Sequence, residues 1–163
     1  MRHGSYNPVS ARRSLIRRGF TLIEILIVVI ILGILASIVV PQFAKATGDS
    51  SNATFVHDIK LLARLIVVQQ HQHGHWPADQ LPGIFPPEMA GKIDPGDWSK
   101  ATPIGGNWDY DAGVYGVLAG VSVELPDRTP AQMIEIDRMI DDGNLTTGAF
   151  RQRTNAYIYV LAE

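Results

Sequence analysis

Apolar and polar positions follow three regimes along this 163-residue chain. From Ile25 to Ala44 there are 20 residues without a charge, most of them Ile, Val and Leu. After Pro41 the pattern turns amphipathic: Phe55, Ile59, Leu62 and Ile66 recur at helical spacing, and Leu61, Leu65 and Val68 widen the stripe. Asp49, Ser50, Ser51, Asn52, Asp58 and Lys60 are assigned to the opposite, exposed face. Beyond residue 107 the apolar positions come in short β-rich runs. The first two regimes predict one helix from Phe20 to His73, with weak points at Pro41 and Gly48. Gly74 and then Pro77 stop it.

The rest reads as a small antiparallel sheet with one covering helix. Residues 76–107 are rich in Pro and Gly and predict an irregular loop, with a short helix near Pro86–Lys92. Asn107–Asp111 and Val114–Leu125 read as a hairpin turning at Ala112 and Gly113. Thr129-Pro130-Ala131-Gln132 fits a capping box with proline at the first helical position. Met133, Ile136, Met139 and Ile140 supply that helix's stripe, and Gly143 ends it. Residues 146–150 and 155–161 read as two further strands. The fold class is therefore α+β: a long N-terminal helix whose second half packs on an antiparallel head.

A 20-residue uncharged helix covers about 30 Å, the thickness of a bilayer core. Charge sharpens that reading. The first 19 residues hold five arginines (Arg2, Arg12, Arg13, Arg17, Arg18) and no acid, whereas all 16 acidic residues follow Gly19. A basic leader before an apolar run holds the N-terminal side in the cytoplasm by the positive-inside rule. It does not read as a nucleic-acid-binding arm, and no nucleic-acid partner is expected. A secretory signal peptide is the competing interpretation, with Ala36-Ser37 as its cleavage site, but its apolar core would be shorter.

At the N-terminal edge of the run stands Arg17-Arg18-Gly19-Phe20-Thr21-Leu22-Ile23-Glu24. Over residues 17–45 the chain resembles the type IV pilin and type II secretion pseudopilin superfamily. The resemblance implies cleavage between Gly19 and Phe20 by a prepilin peptidase, and N-methylation of Phe20. It puts Glu24 at the family's glutamate, the fifth residue of the mature chain, and Pro41 at the family's proline. Glycine lets a protease approach its carbonyl closely. Cutting before the apolar run keeps the membrane helix on the mature protein. A carboxylate one turn inside that run is costly unless paired. The resemblance supplies as partner the N-terminal amine of a neighbouring subunit; the alternative is that Glu24 snorkels to the headgroups. Pro41 is read as a helix bend, or else as a tolerated membrane proline.

The resulting domains are a removed basic leader (1–19), a transmembrane and filament-core helix (20–45), its amphipathic continuation (46–75) and a pilin-like head (76–163). The chain contains no cysteine, so disulfides, zinc-thiolate sites and a cysteine nucleophile are excluded. That also removes the C-terminal disulfide loop of many pilins and favours a pseudopilin. No Ser-His-Asp pattern, P-loop or dinucleotide fingerprint is present, so no enzyme and no catalytic residue is expected.

Two groups carry metal readings. His71, His73 and His75 could share a metal, or could favour the dipole at a helix C-terminus. Asp141, Asp142 and Asn144 could offer oxygens to calcium, which occurs in some pseudopilin heads, but they lack EF-hand spacing and also suit a helix-to-strand turn. No other cofactor is expected. The chain reads as a structural subunit of a pseudopilus or pilus-like filament. The partners implied by the resemblance are prepilin peptidase, other pilin or pseudopilin subunits and an inner-membrane assembly platform. A membrane-anchored periplasmic binding module that never polymerises is the alternative.

Overall fold

The computed structural model describes residues 19–163; residues 1–18, including Arg17 and Arg18 and all but the last residue of the expected leader, lie outside the described residues. Helix α1 runs from Leu22 to His73, with Pro41 inside it. Its helical assignment continues through Pro41 and Gly48, so neither interrupts it. The chain divides into one compact unit ending at Gln42 and a second, Phe43–Glu163. In the first unit every described residue from Gly19 to Gln42 is exposed, although most are Ile, Val or Leu. Such a surface needs an apolar environment. Among the described residues α1 is the one helix long and apolar enough to cross a membrane.

In the second unit, the C-terminal part of α1 is followed by a 3-10 turn (Pro87–Met89), the short α2 (Pro95–Trp98), β1 (Asn107–Asp111), β2 (Ala119–Glu124), α3 (Pro130–Ile140), β3 (Phe150–Arg153) and β4 (Ala156–Ala162). The four strands form one antiparallel sheet in the order β1-β2-β4-β3. The α+β class read from the sequence is the observed one. Gln132 and Thr129 close a reciprocal capping box at the start of α3, with Pro130 in the first turn, as expected from their spacing.

Alternation along the strands gives the sheet two faces. Trp108, Val123 and Tyr157 form one row of the inner face, and Tyr110, Val121, Tyr159 and Phe150 the next. Phe55 of α1 lies at their centre. Its ring stacks on Trp108, with centroids 5.5 Å apart and planes 5° from parallel, and meets the edge of Phe150 at 6.2 Å. Phe55, Ile59 and Ile66 are fully buried, and Val56 and Ala63 complete the stripe. Leu61 and Val68 are exposed instead, so the buried face is narrower than the sequence pattern implied. Asn52, expected on the solvent side, is buried, and its side-chain oxygen accepts from Arg128 Nε at 3.1 Å.

Three boundaries differ from the expected ones. The second strand begins at Ala119, not Val114, because Gly113, Tyr115 and Gly116 all take positive φ, which a strand cannot. The third runs Phe150–Arg153 and shares one residue with the expected 146–150, since Asn144 folds its side chain onto Thr146 and holds that stretch as a turn. The short helix near Pro86–Lys92 is a single 3-10 turn, and α2 follows where only loop was expected. Gly106 shows why the approach to β1 needs glycine. It has φ 74°, and an added Cβ would lie 2.1 Å from the Glu124 carbonyl oxygen.

A fragment comprising residues 47–163 is expected to be soluble and cooperatively folded, because the buried stripe and all four strands remain. Truncating Phe55 to Ala in it should cost about 3–5 kcal/mol by opening a cavity between helix and sheet. Urea unfolding followed by tryptophan fluorescence measures both; a fragment without a cooperative transition, or a Phe55→Ala variant unchanged in midpoint, contradicts this packing.

Candidate functional site

The residues singled out at the N-terminus sit at the start of α1. Gly19 and Phe20 precede the helix and are exposed. Thr21 is the residue before the first helical position. Its backbone N–H and hydroxyl both donate to Glu24 Oε2, at 2.7 and 2.8 Å, while Glu24 N–H donates back to Thr21 Oγ1 at 3.3 Å. This is a capping box, which satisfies donors that the first turn of a helix otherwise leaves unpaired. Glu24 is thus not an orphan in a single chain. The signal was present in the sequence, as a Thr three residues before a Glu at the edge of an apolar run. Farther along, the Ser37 hydroxyl donates to the Ile34 carbonyl at 2.7 Å, so that polar group is also satisfied within the helix.

In the head, titratable groups gather in two places. The first is the outer face of the sheet. Arg153 Nη2 lies 2.9 Å from Asp109 Oδ2, 3.2 Å from Asp111 Oδ1 and 2.7 Å from Glu124 Oε1, all largely shielded from solvent. The Ser122 hydroxyl donates to Asp111 Oδ2, and the Tyr115 ring covers the guanidinium at 4.1 Å. Small residues make room for this assembly: Gly120, Ser122 and Ala156 occupy that face of β2 and β4. Three acids share one arginine. Burial and then the neighbouring Asp111 charge push the Asp109 carboxyl up to about 7, against the attraction of Arg153. Burial likewise raises Asp111, opposed by the Ser122 hydroxyl and Arg153.

The second place is the C-terminal end of α3. Among the described residues Asp137, Asp141 and Asp142 form a group whose ligand atoms lie within 4.8 Å of one another. Burial, then the Asp142 and Asp141 charges, raise the Asp137 carboxyl, and the backbone N–H groups of Gly143 and Asn144 only partly offset this. Asp141 and Asp142, expected as oxygen donors, are therefore together, and Asp137 joins them unforeseen. Asn144, expected as the third, turns its side-chain oxygen to the backbone N–H of Thr146 (3.2 Å) and to its hydroxyl (2.7 Å).

The histidines at the end of α1 gather no such group. The Nδ1 atoms of His73 and His75 face the carbonyls of Gln69 and Trp76, at 3.1 and 3.0 Å. A groove of about 400 Å³ runs along Leu61, Leu62, Leu65, Ile93, Trp98 and Trp108, with Lys and Asp side chains at its rim.

The N-terminal geometry is that of a capped, exposed, apolar helix. Residues 16–40 match the family model described as the prokaryotic N-terminal methylation motif. The matched segment is the one that carries the resemblance to the pilin and pseudopilin superfamily. It is similar to type II secretion system core protein G of Pseudomonas aeruginosa, 36% identical over 84 residues that cover 50% of this chain and 58% of the relative. It is also similar to the protein of that name in Escherichia coli, 36% identical over 37% of this chain and 42% of the relative. The type IV major pilin PilA of Myxococcus xanthus is 42% identical over 38% of this chain and 25% of the relative. The chain thus spans about half the length of the secretion relatives it matches. No solved structure matches it.

The cluster around Arg153 makes the head's stability depend on pH. A carboxyl raised in the folded state, against about 3.9 when unfolded, takes up a proton on folding. Its contribution is fully present below the unfolded value and is lost as pH rises through about 7. Asp109→Asn removes this proton uptake. The melting temperature of the variant relative to wild type should therefore climb between pH 5 and pH 8. A difference that stays flat across that window would show that Asp109 is ionised throughout.

Proposed function

We propose that the chain is a structural subunit of a type II secretion pseudopilus or a type IV pilus-like filament. In this reading a prepilin peptidase cuts it after Gly19, Phe20 is N-methylated, and the mature protein assembles through its N-terminal helix. The carrying observation is Gly19-Phe20 placed immediately before a capped helix whose next 20 or so residues are apolar and exposed. A peptidase can reach that bond, and cutting there leaves the apolar helix on the product. The arginine-rich leader orients the precursor with its N-terminus in the cytoplasm. The head then lies across the inner membrane, and the partners are other subunits, the peptidase and an inner-membrane platform. Membrane-extracted protein should begin at N-methylated Phe20 by intact mass; a start after Ala36 would mean a secretory signal and end this reading.

Glu24 serves two purposes in this account. Within one chain it closes the capping box with Thr21. Between chains its carboxylate offers a partner to a neighbour's N-terminal amine, in a medium where opposite charges attract strongly. That pairing would choose an axial register, which apolar helices in lipid otherwise lack. Pro41, inside the exposed part of α1, has no N–H to donate to the Ser37 carbonyl and gives the helix a place to bend during packing.

Glutamine separates the two purposes, since it completes a capping box as glutamate does but carries no charge. Glu24→Gln should insert, be cut after Gly19 and remain capped, yet lower the yield of sheared filaments about tenfold or more, as expected for a desolvated ion pair deprived of one member. Normal filament yield from Glu24→Gln would assign Glu24 to capping alone. Absence of filaments from wild type, with all assembly proteins co-expressed, would favour an anchored binding module instead.

A further inference from the structure

The connection between β1 and β2, residues 112–118, lays the ring of Tyr115 over the Arg153 guanidinium at 4.1 Å. That position demands an unusual backbone. Tyr115 has φ 52°, in the left-handed region that bulky side chains rarely enter. Gly113 and Gly116 on either side of it have φ 70° and 78°. A Cβ added at either glycine would meet nothing within 4 Å, so both serve backbone freedom and not a close approach.

The segment is pinned at its two ends. The Ala112 N–H donates to Asp79 Oδ1 at 2.9 Å, the Leu118 N–H donates to the Ala162 carbonyl at 2.9 Å, and Val117 is buried. Between the pins, the Gly113 N–H donates to the Leu118 carbonyl at 3.2 Å and the Val117 N–H to that of Val114 at 3.0 Å. Gly113, Tyr115 and Gly116 are exposed. The strained residue is held down chiefly by its ring on the guanidinium. With a glycine on each side, it can swing without disturbing the strands.

The charge beneath the ring decides whether it stays down. Asp109 faces Asp111 on its own strand, Glu124 on β2 and Arg153 on β3. Asp79 adds its charge beyond Asp111. β4 presents Ala156 and Ile158 to this face, and residues 112–118 contain no charged side chain. Arg151 of β3 stands in the same row as Asp109 but pairs with Glu163 at 2.6 Å. With all three acids ionised, three negative charges meet one positive charge; with Asp109 protonated, two meet one. A desolvated excess of negative charge is costly, and lifting the ring admits water to it.

We propose that residues 112–118 form a proton-controlled strap, closed over Arg153 while Asp109 is protonated and swung open between Gly113 and Gly116 when that proton leaves. Burial and then the Asp111 charge push the Asp109 carboxyl up to about 7 in the closed form, against about 3.9 in water. Closure therefore takes up a proton. It is favoured below the lower value and is lost as pH rises through about 7. Opening hydrates the acids and releases Tyr115. The strap belongs to the head alone and acts whether or not the chain polymerises.

Amide hydrogen exchange of the full-length, detergent-solubilised protein, followed residue by residue by NMR at pH 6 and pH 8.5, tests this. Each rate is divided by the unfolded-chain rate at the same pH. The Gly113 and Val117 amides should be less protected than those of β4, and should lose about tenfold of their protection between the two pH values. Asp109→Asn should keep them at the higher level at both. Tyr115→Ala, an exposed substitution, should lower them at pH 6 as far as pH 8.5 does in wild type, whereas Tyr115→Phe, which keeps the ring, should not. Protection that is equal at both pH values, or that falls in step with β4 and so reports global unfolding, overturns the strap. So does a pH response that survives Asp109→Asn, or protection unchanged in Tyr115→Ala.

Discussion

The stack of Phe55 on Trp108 joins the two kinds of secondary structure in the head, and the remaining packing follows from it. A four-stranded sheet with aromatic residues on one face must cover that face. The only long apolar stripe available to it within Phe43–Glu163 is that of α1. The helix in turn gains little from propensity alone, since most helical stability in proteins comes from burying an amphipathic face. Phe55, Ile59 and Ile66 meet the sheet where Trp108 and Phe150 present their rings, so each element supplies the surface the other lacks. One helix therefore serves two environments. Its residues to Gln42 are apolar all round, whereas those after it are apolar on a single face.

The same economy governs the N-terminus. A helix that begins in or near a membrane cannot leave its first N–H groups to water, so its cap has to come from the chain itself. Thr21 and Glu24 provide one. The carboxylate that would pair with a neighbouring subunit is thereby already positioned and partly satisfied before any neighbour arrives. An intersubunit pairing of this kind adds a charged partner to an acceptor held in place, and the entropy of ordering the glutamate is spent at helix formation, not at assembly.

How much of this was legible depended on the range of the interaction. The long N-terminal helix and the capping box of α3 are local patterns, and α1 and α3 follow them, with α1 starting two residues later than expected. The β2 boundary did not, because Val114, Tyr115 and Val117 have strand-forming side chains while Gly113 and Gly116 bend the backbone around them. Tyr115 is spent on covering Arg153, a contact between residues 38 positions apart. The capping box at Thr21 was readable and was missed, since the family resemblance had already given Glu24 an intermolecular role. Asp137 is the converse. It lies four residues after Met133 and one after Ile136, on the face that turns inward, but a lone acid in an amphipathic stripe reads as solvated until its burial is seen.

The two acidic clusters of the head present the same electrostatic problem with different means of solving it. Behind the sheet, Asp109, Asp111 and Glu124 surround Arg153, and the small side chains of Gly120, Ser122 and Ala156 create the space the guanidinium needs. The deficit of positive charge that remains there is met by protonation, which is why Asp109 is the group driven upward. At the end of α3 three carboxylates meet without an ion-pair partner among the described residues, and the backbone N–H groups of Gly143 and Asn144 only partly offset the burial of the innermost. A fold that places a guanidinium at one such site does not tolerate the other without compensation, because the cost of a buried unpaired acid is comparable with a large part of a domain's net stability. Protonation supplies that compensation at Asp137, where burial and then the Asp142 and Asp141 charges raise the carboxyl.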